Sequence, residues 1–325
     1  ALAYRVNHPY ALGWAAGAAG IAGCLEGRWR SGHACCERAE ATFRDNCTGV
    51  YWEIGTMQWF SMWSQCYLGQ LDELSRRIPT RLREAAERGD LYAAIGHSTG
   101  LANLVWLAAD QVDLARERSR EAMRKWSQRR FHVEHWWAML GDRQIELYVG
   151  DAEAAYRAVH AQWDALKGSL LLMVQLTKTE ATHLRARAAL MLAEGRPSER
   201  KALCGEAARD AKSIAAEKMP WSDPLAALLR AGIANVRGDA DRALAELQQA
   251  EAGLVAADMA LYAAAARYCR GKLLGGDAGN ALVNASLGWM SGQGVVNPER
   301  MVALHAPGFS GDGMRASEPA ADRVK

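Results

Sequence analysis

Two histidines one helical turn apart, His132 and His135 in the run HVEHWW, come nearest in this chain to the type and spacing of a metal centre. A zinc site needs three or four ligands, and the metalloprotease pattern sets its histidines at i and i+4 with a glutamate directly after the first. Here the spacing is i and i+3, Glu134 comes two residues after His132, and no third ligand is evident, so no metal site is expected. The seven cysteines contain no CxxC pair, and Cys24, Cys35, Cys36 and Cys47, although symmetrically spaced, read as small core residues. An odd count in a chain of 325 residues points to free thiols in a reducing cytoplasm, not to a disulfide framework.

Nucleotide chemistry finds no support either. RGKLLGG (270–276) lacks the first glycine and the hydroxyl residue of a phosphate-binding GxxxxGK[ST] loop, and the catalytic motifs of a protein kinase do not occur. No catalytic residue and no cofactor are therefore expected. Seven basic residues between Arg116 and Arg130 surround Trp126, a pattern that a nucleic-acid surface would share. With 39 basic against 37 acidic residues in the whole chain, the run reads instead as the solvated face of an outer helix. The longest apolar run, Tyr10 to Leu25, is shorter than the ~20 residues of a membrane span and reads as a buried helix. Neither nucleic acid nor membrane is an expected partner. The triplets RGD at 88–90 and 237–239 read as helix boundaries, with Gly ending one helix and Asp opening the next.

The same boundary chemistry recurs along the chain. IELYVGDAEAAYRAV (145–159) returns as IANVRGDADRALAEL (233–247) and, more loosely, as KLLGGDAGNALVNA (272–285). Steps at Gly27, Gly69, Asp110, Gly150, Gly195, Gly238 and Gly276 lie 42, 41, 40, 45, 43 and 38 residues apart. Each interval holds two helices of roughly 18 residues and a turn. Strand signals are nearly absent. The expected fold is all-α: a right-handed α-solenoid of about seven tetratricopeptide-like helix-turn-helix pairs with a period near 40 residues, over residues 1–306. Residues 307–325 read as a disordered tail, and Pro79 is expected to kink or split its helix. Alanines twelve residues after four of the turns, Ala39, Ala122, Ala207 and Ala250, are expected where two helices approach closely.

In such an array the first helix of each pair lines the concave face. His97, Asn103, Trp136, Arg143, Lys178 and His183 fall on first helices and are candidate groove residues. Trp59 and Trp63 share a helix face with Trp52, Thr56 and Cys66 and are weaker candidates, because Ile54, Met57 and Leu68 make the opposite face apolar as well. That pattern fits an inner helix buried on both sides.

Several phrases carry a family likeness: HPYALGWAAGAAGIAGCLEGRW, CTGVYWEIGTMQWFSMW, ERGDLYAAIGHSTGLANLVWLAAD, MRKWSQRRFHVEHWWAML and the closing VNPERMVALHAPGF. Together they resemble the C-terminal tetratricopeptide-like region of large bacterial serine/threonine protein kinases that also carry an AAA/STAND-type ATPase module. The likeness spans residues 1 to 309. It implies a non-catalytic sensor or scaffold region of a cytoplasmic signalling protein. Its expected partner is a protein or peptide, another copy of itself, or the kinase and ATPase domains of the same polypeptide. The alternative is a metabolite held in an aromatic pocket between repeats. Because the chain opens at Ala1 directly into helical sequence, it is expected to belong to a longer polypeptide.

Overall fold

The computed structural model describes residues 2–309, and all regular structure among them is helical. After the short α1 (Leu2–Val6), the helices follow in consecutive packed pairs: α2 (Pro9–Leu25) with α3 (Trp29–Asn46), and α4 (Tyr51–Leu68) with α5 (Leu71–Arg88). In the third pair the first member is broken into α6 (Leu91–Ser98) and α7 (Asn103–Ala108), joined by a 3-10 turn at Gly100–Ala102 and packed on α8 (Val112–Arg124). Next come α9 (Val133–Val149) with α10 (Ala152–Gly168), α11 (Gln175–Gly195) with α12 (Arg200–Ala216), α13 (Ser222–Val236) with α14 (Ala240–Ala256), and α15 (Ala260–Leu274) with α16 (Gly276–Gly292). A last short helix, α17 (Pro298–His305), follows the seventh pair.

Each step marked in the sequence lies at the corner of a pair. Gly150 and Gly238 take φ of 82°, which L side chains rarely adopt, and each is followed by an Asp that caps the next helix. Asp151 accepts from the amide of Ala154 at 3.0 Å and Asp239 from that of Arg242 at 3.2 Å. The break in the third pair is also local chemistry: the Thr99 hydroxyl donates to the carbonyl of Ile95, and Thr99 leaves the helix in an extended conformation. Pro79 does not split its helix, and α5 runs through it. The proline is exposed, so the carbonyl its ring leaves without a partner faces water, while Leu74 and Ile78 anchor the helix on the buried side.

Burial separates the two members of a pair. In α5 the buried residues are Leu71, Leu74, Ile78, Arg81 and Ala85, a single stripe at helical spacing. In α4 and α11 nearly every side chain is buried, as an inner helix surrounded by neighbours requires. α2 departs from the expectation of a buried helix. Its only buried residues are Gly13, Gly17, Gly20, Gly23 and Cys24, pressed against α3 and, at Gly17 and Cys24, also against α4, and its other side is partly open.

The row of pairs does not stay open. It coils until the sixth and seventh pairs meet the corners of the first and second. Trp221, just before α13, fills the space over Gly27 so closely that any side chain there would run into its indole, and it packs edge-on against Trp29 with ring centroids 5.7 Å apart. Arg30 pairs with Asp258 at 2.8 Å, and Gly69 lies against Trp289 and the backbone of Leu261. Beyond them, the Val296 amide donates to the Ala108 carbonyl at 2.7 Å and Arg300 pairs with Asp110 at 3.2 Å. The face that an open solenoid would offer as a groove is therefore interior.

Residues 307–309, assigned to the tail on sequence, pack against α13: the Asn235 side-chain amide donates to the Gly308 carbonyl at 2.6 Å. The remainder of the expected tail, 310–325, lies outside the described residues. Among the described residues no helix is long and apolar enough to cross a membrane. Ala39, Ala207 and Ala250 are fully buried at helix contacts, while Ala122 is half-buried. Ala250→Trp is accordingly expected to destabilise the chain by about 3 kcal/mol through overpacking. The corresponding Ala122→Trp is expected to cost less than half as much. Urea unfolding of both variants checks this, and equal losses would contradict it.

Candidate functional site in the closed interior

The coiling brings one end or flank of five first helices to a common point. Tyr67 of α4, Gln144 of α9, Glu180, His183 and Arg187 of α11 and Tyr262 of α15 form the polar wall of a small chamber. Leu101, Leu140 and Leu225 complete it. Room for the centre of a solvent molecule inside amounts to about 10 Å³, the space of one water. α17 closes one side: the Arg187 Nη1 donates to the Leu304 carbonyl at 2.9 Å, and the His305 ring lies 4.5 Å from that of Tyr262.

Glu180 is the anchor. Its Oε1 accepts from the Trp63 indole at 2.8 Å and from the Tyr67 hydroxyl, while its Oε2 has no hydrogen-bond partner in the protein. Burial pushes this carboxyl up to about 8, outweighing the two donors and the charge of Arg187, which pull it down. Burial, reinforced by the Arg187 charge, holds His183 and His305 well below the ordinary histidine range, so both are neutral near pH 7. Arg187 is buried, and among the described residues no carboxylate forms an ion pair with it. Its Nε, the His183 Nε2 and the Gln144 Oε1 also lack partners in the protein. Four polar atoms without partners in one small space are costly, by about 1–3 kcal/mol each.

Of the residues singled out from sequence, Trp63 and His183 belong to this cluster. Trp59 does not line it. Trp59 stacks on Trp137 with centroids 4.8 Å apart, inside the core. His97, Asn103 and Trp136 are buried elsewhere in the interior, and burial lowers His97 to about 3, helped by the charges of Arg81 and Arg88. Arg143 is tied to Glu146, with Nη2 to Oε1 at 2.7 Å, and Lys178 is half-exposed in an ion pair with Glu217 at 2.6 Å. None of these six lines an open groove.

Glu180, Arg187, Tyr67, Gln144 and Tyr262 were not singled out from the sequence. A signal was present for three members of the wall: Glu180, His183 and Arg187 stand at i, i+3 and i+7, one face of an otherwise alanine-rich and leucine-rich helix. HVEHWW, the metal-like motif, serves the backbone: His135 Nδ1 accepts from the His132 amide at 3.1 Å at the start of α9. Among the described residues no three His, Cys, Asp or Glu side chains are grouped to hold a metal ion.

Comparison of the chain with protein-family models, with curated proteins and with solved structures finds no match in any of the three.

Proposed function

We propose that the chain is a non-catalytic interaction and regulatory module that associates through an exposed apolar patch on its first two helix pairs. One observation carries this reading: exposed apolar side chains of the first two pairs form one patch. α2 has no charged residue in its whole length, its Tyr10, Ala18 and Ala19 are exposed, and Trp14 is only half-buried. Beside it Tyr51 and Trp52 are 59% and 57% exposed. They border an open recess of about 480 Å³ with Arg88 and Asp90. Trp14 and Trp52 pack side by side, with centroids 6.0 Å apart, so helix and recess form one continuous patch.

The occupant that fits is a second copy of the chain, apolar surface against apolar surface. The same patch would serve a kinase or ATPase domain of the same polypeptide, as the sequence likeness to bacterial signalling kinases suggests, in the cytoplasm where free thiols persist. Sedimentation equilibrium is expected to show a concentration-dependent dimer, and Tyr51→Glu with Trp52→Glu is expected to give a monomer with unchanged helicity. A wild-type chain that stays monomeric up to millimolar concentration, or a double variant that dimerises as before, removes the reading.

A second reading, small-ligand sensing, is favoured by the interior chamber. Trp59 and Trp136 are not among its walls. The polar atoms around Glu180 and Arg187 would hold the ligand.

A further inference from the structure

We propose that the interior chamber binds a monovalent inorganic anion of about a water molecule's size, chloride in the cell, held by Arg187 together with Glu180, His183 and Gln144. This deepens the small-ligand reading by naming the ligand class.

The starting point is an unbalanced charge. Arg187 is 2% exposed, a guanidinium does not deprotonate, and its Nη1 is committed to a neutral carbonyl. A buried cation without a counter-charge costs several kcal/mol. Glu180, on the same wall, does not supply that charge near pH 7, since its carboxyl titrates at about 8. Neutral His183 and His305 add none. The groups that face Glu180 from the surrounding helices are Cys24 of α2, Cys66 and Tyr67 of α4, Tyr262 of α15 and, on its own helix, His183 and Arg187. Burial keeps both thiols and both phenols protonated, so Arg187 is the single charge among them.

The donors complete the site. The Arg187 Nε–H has no acceptor, and the protonated Glu180 carboxyl turns its unpartnered Oε2 into an O–H donor. Neutral His183 can carry its proton on Nε2. Rotating the Gln144 amide by half a turn replaces its unpartnered oxygen with an NH2 group. Four donors around one cation suit an anion. The single-water size of the space excludes sulfate, phosphate and organic acids. Closure by α17, through Leu304, places the ligand where it ties the last helix to α11.

The test is thermal melting of the whole chain in sodium chloride, bromide or nitrate against sodium gluconate at fixed ionic strength. Chloride and bromide are expected to raise the melting temperature by several degrees in a saturable way, and nitrate and gluconate are not. Arg187→Gln is expected to abolish the response and Glu180→Gln, which remains a neutral donor, to retain it. Near pH 9, where Glu180 is ionised, chloride affinity is expected to fall roughly tenfold relative to pH 7. Should Arg187→Gln fail to fold, broadening of the chloride NMR line by the wild-type chain, reversed by bromide, reads the same site. A wild-type melting temperature indifferent to the anion, or an anion response that survives in Arg187→Gln, overturns the proposal. So does stabilisation by ammonium in place of sodium, which would mark a cation site. Stabilisation by a small organic molecule but not by chloride would overturn the anion assignment while leaving small-ligand sensing in place.

Discussion

Trp221→Ala is expected to cost the chain about 3–5 kcal/mol, the largest loss from any single truncation considered. Trp221 is fully buried at the place where the coil closes, over Gly27, edge-on to Trp29 and within 5.9 Å of the Tyr67 ring. Its indole N–H has no partner, so its removal orphans no acceptor. The loss is the transfer energy of a large apolar ring plus the hole it leaves, because two successive turns of the coil meet there. Trp52→Ala, at an exposed position, is expected to stay within about 0.5 kcal/mol of wild type. Urea unfolding followed by circular dichroism compares the two. Similar midpoints would mean that the closing contact carries no stability.

The second large effect is a stability optimum near pH 6.5. Glu180 has its folded value raised from 4.5 to about 8, so between those values the native state holds a proton that the unfolded chain has released. Stability from this group is complete below pH 4.5 and falls as pH rises through 8, by about 1.4 kcal/mol per unit. The histidines act in the opposite sense. His97 is lowered from 6.5 to about 3, and burial beside Arg187 holds His183 and His305 well below 6.5 as well, so the unfolded chain takes up protons first as pH falls below 6.5. On the acid side His33 and His135, lowered too, add to these histidines, while Glu134, Asp142 and Glu146, raised by burial, act with Glu180; Glu180 is the carboxyl raised as far as about 8. Unfolding free energies are therefore expected to rise toward pH 6.5 and decline beyond it. Glu180→Gln is expected to remove the decline and keep the acid limb. A stability that climbs steadily from pH 6.5 to 8 would refute the assignment.

The turns, and the inside-outside order of the pairs after the first, were legible in the sequence because their causes are local. Gly150-Asp151 and Gly238-Asp239 end one helix and cap the next with their own atoms. Stripe burial in α5 and all-round burial in α4 follow from their apolar spacing. The exposed face of Pro79 and the break at Thr99 depended on neighbours and on a competing side-chain bond.

The candidate site was only half legible. His183 and Trp63 drew notice as polar or aromatic residues on first helices, but Arg143 and Lys178 drew it for the same reason and are satisfied by Glu146 and Glu217. What separates them is the closure of the coil. That closure depends on contacts such as Trp29 with Trp221, for which no local pattern exists. Glu180 and Arg187 acquire their properties only when α4, α15 and α17 arrive around α11.

The return of the sixth pair beneath the first also bears on how the chain acquires its form. An open array can nucleate anywhere and fray unit by unit from either tip. Here Arg30 and Asp258 join residues 228 positions apart, so a large loop entropy must be met before the last contacts reward it. Assembly is thereby slowed, and melting becomes a concerted event in which the two extremities hold or release each other together.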